Sequence, residues 1–144
     1  MTGADAVGRG MLDTSTVIAL GQLADASELP EDSVISAVTL AELSVGPHVA
    51  PTDGERAARQ QHLQQAESDF EVVTFDAASA RAFGAVAAAL RSAGRKPAAR
   101  AYDALIAASA IANGIPLYTC NPKDFSGIPA LDVHSVHLPK TGRS

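Results

Sequence analysis

The sequence predicts an α/β domain: a central, mainly parallel sheet of about five short strands, flanked by helices. Three observations carry this reading. Short apolar, β-branched runs alternate with helical stretches along the whole chain, the order expected of strand–helix–strand units. Most junctions hold a turn or capping residue such as Asp13, Gly46, Asp76, Gly94 or Gly114. And 144 residues, 47% of them hydrophobic, suit one domain with a real core.

The elements follow in order. Residues 1–9 are polar or small and read as a flexible extension, and Met11 is a second candidate start beside Met1. The first strand is short, Gly10 to Leu12. A helix starts at Thr14 or Ser15 and runs to about Ala24, and Pro30 breaks the loop after it. SVIS, residues 33–36, is the second strand, and AVTLAELSVG is a helix stopped by Gly46 and Pro47. A loop around PTDG leads to a polar helix, Glu55 to Asp69, whose few apolar positions put it on the surface or against a partner. EVVTF, residues 71–75, is the third strand. Asp76 caps a helix from Ala77 to about Ala93, which Gly94 ends. Pro97 opens a helix through Asn113. IPLYTC and LDVHSV are the fourth and fifth strands, with NPKDF a turn or single helical turn between them. The domain thus spans 10–137, and 138–144 form a flexible tail.

Composition excludes several classes. No apolar run reaches the roughly 18–20 residues of a membrane span, and the N-terminus lacks a signal-peptide order. A soluble, cytoplasmic protein is the expectation. The single cysteine, Cys120, makes neither an internal disulfide nor, alone, a zinc site. A net charge of −5 argues against broad attraction to nucleic acid. One segment departs from that balance: residues 91–100 hold Arg91, Arg95, Lys96 and Arg100 with no acid. It reads either as a solvated helix end or as a local hold on a phosphate backbone.

The acids are the informative residues, because ligands in parallel sheets sit beyond the carboxyl ends of the strands. Asp13 directly follows the first strand. Glu42 lies in the helix after the second, Asp103 in a helix that is apolar around nearly its whole circumference, and Asp124 just past the fourth strand, three residues after Asn121. Each has an ordinary role on its own: an N-cap for Asp13, a solvent-facing position for Glu42, an ion pair with Arg100 for Asp103, a turn for Asp124. Together they point to one sheet edge. Carboxylates about 4 Å apart repel by about 4 kcal/mol at an effective dielectric of 20. Either their pKa values rise or a cation neutralises them. Oxygen donors without His or Cys select a hard ion, Mg²⁺ or Mn²⁺. His48, His62, His134 and His137 lack metal-ligand spacing and read as surface or partner-facing.

MLDTSTVIAL, the Glu of TLAEL, the Asp of ARAYDALIAASA with the following GIPLYT, and TCNPKDF together resemble the PIN domain. Their whole order resembles the VapC toxins of bacterial VapBC toxin–antitoxin modules, over about residues 10–136. The resemblance implies an Mg²⁺-dependent endoribonuclease, with Mn²⁺ able to substitute, that forms a homodimer and is silenced by a VapB-like antitoxin in a heterotetramer or larger assembly. It implies Asp13, Glu42 and Asp103 as metal ligands and catalytic acids. The fourth position is held by Asn121, with Asp124 one turn further on, so either residue completes the site and the number of metals, one or two, stays open. Thr14 and Ser15 match hydroxyl residues beside the first acid, and Arg100 matches a basic residue one turn before the third. Arg100, with Arg95 and Lys96, is the expected RNA-phosphate contact. A PIN-like binding module without catalysis is the alternative. A phospho-acceptor receiver domain is excluded, because the first strand ends in one acid and no Lys stands near LDVHSV.

Overall fold

The computed structural model describes residues 8–140; the proposed extension at 1–7 and the last four tail residues lie outside the described residues. Five parallel strands form one sheet: β1 (Arg9–Leu12), β2 (Asp32–Ser36), β3 (Glu71–Val73), β4 (Leu117–Thr119) and β5 (Val133–Ser135), in the spatial order β3-β2-β1-β4-β5. The chain winds outward from β1 through β2 to β3, then returns to the other side of β1 for β4 and β5. The β1/β4 boundary is therefore the point where the winding reverses, and ligand crevices open there.

Period-two alternation places neighbouring side chains on opposite faces of the sheet. Met11, Val34 and Leu117 face one core, packed by helices α4 (Ala77–Ser92) and α5 (Ala101–Ala112). Leu12, Ile35 and the half-buried Tyr118 face the other, packed by α1 (Thr14–Ile18), α2 (Ala37–Val45) and α3 (Asp53–Asp69). The result is a helix–sheet–helix sandwich. Ala104, Ala107, Ala108 and Ala110 let α5 lie close on the sheet, as the alanine-rich composition implies. Gly10 serves a related purpose, since a Cβ there would strike the Tyr118 ring. Gly94 (φ 78°) and Gly114 (φ 65°) follow the ends of α4 and α5 in left-handed conformation. No helix among the described residues is long and apolar enough to cross a membrane.

The structure corrects several expected boundaries. Arg9 belongs to β1 rather than to a flexible extension, because its guanidinium pairs with Asp32 at 2.5 Å and Glu71 at 2.9 Å. The first helix ends at Ile18, not near Ala24, and a 3₁₀ turn, Leu20–Gln22, follows. Four of its five residues are not strong helix formers but β-branched, and Gly21 discourages continuation. The third strand stops at Val73 because β2 offers partners only from Val34 to Ser36. Helix α3 begins at Asp53, two residues early, with Thr52 as its cap. The stretch from Pro97 divides into a 3₁₀ turn, Pro97–Arg100, and α5, because Arg100 (φ −127°, ψ 38°) leaves the helical path.

Candidate active site

Asp13 lies at the end of β1, and its backbone N–H extends the ladder to Tyr118 O at 3.2 Å. It is only 3% exposed. A carboxylate so deeply buried must be hydrogen-bonded, and this one is held by four groups. Thr16 N–H (3.0 Å) caps α1 through Oδ1, and Thr16 Oγ1 donates to the same oxygen at 2.6 Å. Ser15 Oγ donates across both oxygens at 2.9–3.0 Å, and Thr119 Oγ1 donates to Oδ2 at 2.8 Å. Asp13 is thus the N-cap of α1 and the one fully buried acid of the four. Two of its hydroxyls also stitch the edge: Thr16 Oγ1 accepts from Cys120 N–H, and Thr119 Oγ1 accepts from Asn121 N–H. Beside them, burial pushes the Cys120 thiol above its ordinary pKa.

Glu42 rises from α2 toward the same edge. Thr14 Oγ1 donates to its Oε1 at 2.5 Å and lies 3.1 Å from the buried Thr39 hydroxyl. Burial raises the Glu42 pKa, the Thr14 bond opposes this, and the nearby Asp13 charge adds to it. Thr14 and Ser15 therefore serve different acids.

Asp103 sits in the first turn of α5, its side chain 30% exposed. Its pKa is raised to about 6, first by burial, then by the charges of Asp124, Asp13 and Glu42, with Arg100 opposing. All four acids thus stand within electrostatic reach of one another. Asp124 stands in the 3₁₀ turn Pro122–Phe125 after β4, opened by Pro122 and tied by Asp124 N–H to Asn121 O. Arg100 Nη1 lies 2.6 Å from Asp124 Oδ1 and 3.8 Å from Asp103 Oδ2. The ion pair expected from the Arg100–Asp103 spacing is present, but Asp124 holds the guanidinium more closely.

Beside these acids opens a cleft of about 470 Å³ lined by Glu42, Ala98, Arg100, Ala101, Tyr102 and Asp103. The donor set is all oxygen and anionic, the chemistry that suits Mg²⁺ or Mn²⁺. Among the described residues, no three of the acids already form a metal cage. Asp13 is bonded to its hydroxyls, Glu42 to Thr14 and Asp124 to Arg100. The crowding that raises Asp103 is what a divalent cation would relieve, so the residues fit such an ion.

The PIN domain family profile matches residues 11–131 of the chain. This chain belongs to the PIN-domain family. Within it the likeness is to VapC proteins. Ribonuclease VapC5 of Mycobacterium tuberculosis is 35% identical over 121 residues, 83% of this chain and 87% of that protein. A crystal structure of VapBC-5 from Mycobacterium tuberculosis, a toxin–antitoxin system, superposes with TM-score 0.73 at 32% identity, covering 91% of this chain and 99% of that one. VapBC2 from Rickettsia felis, bound to a DNA fragment from its promoter, gives TM-score 0.72 at 25% identity over 88% and 98%.

Within this PIN domain several site residues escaped the sequence reading. Thr16, Thr39 and Thr119 each hold an acid or its hydroxyl partner. The signal was there for Thr119, a hydroxyl residue at the buried end of a strand. His62, read as surface or partner-facing, is half-buried; with Arg59 it lines a groove of about 450 Å³ that runs from Thr14 and Glu42 between α1, α2 and α3. His134 stacks on Tyr118, ring centroids 4.7 Å apart, and His137 pairs with Glu28. Of the expected phosphate contacts, Arg100 lines the acid cleft. Arg95 instead points at the turn after Asp124, where Nη1 reaches Lys123 O, Ser126 O and the Ser126 hydroxyl. Lys96 and Arg91 are exposed.

Proposed function

We propose that this PIN domain is the toxin of a type II toxin–antitoxin module and a metal-dependent endoribonuclease. The observation that carries the reading is the convergence of four carboxylates where the sheet reverses its winding, with Asp103 driven to about 6 by burial and its neighbours. Asp13, Asp103 and Glu42 would hold the ion. Bound there, Mg²⁺ or Mn²⁺ supplies neutralisation of charge on the scissile phosphate and a water of lowered pKa. Asp13, fixed by its hydroxyls, keeps its position without reorganising. Asp124, or Asn121 beside it, orients the attacking water, and only the Asp124 carboxylate can also take up its proton; the cleavage leaves a 5′-phosphate and a 3′-hydroxyl. Arg100 holds the RNA backbone beside the acids, and the exposed Lys96 extends that hold. Arg95 acts indirectly, by fixing the turn that carries Asp124.

The partner reading rests on relatives solved as toxin–antitoxin complexes. A VapB-like antitoxin segment fits the groove between α1, α2 and α3, which is lined by Leu43 and by Ile18, itself 60% exposed. An antitoxin Arg entering there meets Glu42. A homodimer completes the assembly.

The test is incubation of antitoxin-free protein with total RNA under Mg²⁺, Mn²⁺ or EDTA, with the fragment ends mapped. Discrete metal-dependent fragments bearing 5′-phosphates are expected. Fragments that persist in EDTA, or in Asp13→Asn and Asp103→Asn alike, would remove these acids from the reaction. Co-expression with a cognate VapB-like antitoxin should yield a complex; recovery of the toxin alone would count against the antitoxin assignment.

A further inference from the structure

Arg100 is placed where a cation is most needed. One guanidinium nitrogen lies between two carboxylates on different elements, 2.6 Å from Asp124 and 3.8 Å from Asp103. Nothing else described pairs with either acid. The backbone is arranged for this. Arg100 departs from helical geometry between the 3₁₀ turn and α5, without a side-chain cap. A continuous helix would fix the residue one turn from Asp103 alone; the break also brings it to Asp124.

We propose that Arg100 is an internal counter-ion: it occupies the gap between Asp103 and Asp124 in the metal-free protein and yields it to the divalent ion. The freed guanidinium, 43% exposed and lining the acid cleft, then turns to an RNA phosphate. The proposal rests on the metal-dependent nuclease reading and deepens it. It makes metal loading and phosphate binding one exchange. Without metal the acids are satisfied internally and the arginine is withheld from RNA. With metal the acids change partner and the arginine is released.

The test reads metal binding rather than cleavage. Mn²⁺ affinity is measured by calorimetry on wild type, Arg100→Gln and Arg91→Gln. Removing the competitor should tighten Mn²⁺ binding about fivefold or more in Arg100→Gln. Arg91→Gln removes the same charge from the exposed end of α4 and should stay within about twofold, which separates occupancy of the gap from loss of positive charge. In wild type, the Arg100 Nε–H resonance, assigned by its absence in Arg100→Gln, should shift when Mg²⁺ is added, while that of Arg91 stays in place. Mn²⁺ binding that is unchanged or weaker in Arg100→Gln, with wild type still binding, would overturn the counter-ion and leave the nuclease reading standing. Equal tightening in both variants would also overturn it, as general electrostatics. No Mn²⁺ binding by any of the three proteins would overturn the metal reading and the counter-ion with it.

Discussion

Asp13 and Asp103 belong to the same sheet edge, yet they are held in opposite ways. Asp13 is almost sealed, and every partner is a neutral donor fixed by the backbone nearby: Ser15, Thr16, Thr119. Asp103 is part-exposed, crowded by three other carboxylates, and attended only by an arginine at 3.8 Å. One half of the site is built with the fold. The other is left electrostatically unfinished, and in the proposed reading an ion completes it. Rigid placement and exchangeable charge are thus assigned to different acids, and each half can be broken separately.

The largest effect is expected in the unfinished half. Asp103→Asn should lower RNA cleavage by about a thousandfold or more, the scale seen when charge stabilisation of a transition state is removed. Thermal melting in EDTA should be unchanged or higher, because a crowded charge has been deleted. Lost activity together with a lower Tm would mean that Asp103 serves the fold instead. In the built half, Asp13→Ala should lose activity and also destabilise the protein by about 1–3 kcal/mol, since the cap of α1 goes and buried hydroxyls lose their acceptor. The fold persists in this variant but is weakened, a cost that a pure metal ligand would not carry. Asp13→Asn keeps an acceptor for the cap and should lose activity at a smaller cost in Tm.

Thr16→Val sharpens the contrast with nearly constant shape. It strands Cys120 N–H and one Asp13 bond. A loss of about 1–2 kcal/mol by denaturant titration is expected, with cleavage reduced about tenfold as Asp13 loses its orientation. Full activity would show that the hydroxyl cradle is not needed for placement. The smallest effect is in pH. Asp103 has its folded pKa raised to about 6, above its unfolded value. Its contribution is therefore fully present only below the unfolded value and is lost as pH rises through about 6. Glu42, also raised, acts in the same direction. The metal-free protein should gain stability as pH falls from 7 to 5, and Asp103→Asn should flatten that slope. Saturating Mg²⁺ should flatten it in wild type too, by holding Asp103 ionised.

The same division explains what could be read in the chain. The strand–helix alternation and the four acids were legible because both are patterns in one dimension: period-two runs, and charges where apolar neighbours make a charge costly. The sealing of Asp13 was half legible, since an Asp before Ser-Thr reads as a cap, but Thr119 is 106 residues away and only the β1–β4 pairing joins them. The short first helix was misjudged because its apolar pattern continues past Ile18 while its β-branched residues do not sustain the turns. The seat of Arg100 was half legible: its spacing gave the pair with Asp103 but not the closer one with Asp124. It depends on a backbone break after Pro97 and on the 3₁₀ turn carrying Asp124, and no spacing rule links the two.

The most direct measurement of the central claim is cleavage of one mapped RNA by wild type and Asp103→Asn across an Mg²⁺ titration, with melting curves taken on the same samples. Cleavage should rise from none in EDTA to saturation in wild type and stay about a thousandfold or more lower at every Mg²⁺ concentration in the variant, which should melt no lower than wild type in EDTA. Cleavage without metal, or by the folded variant at the wild-type rate, would contradict it.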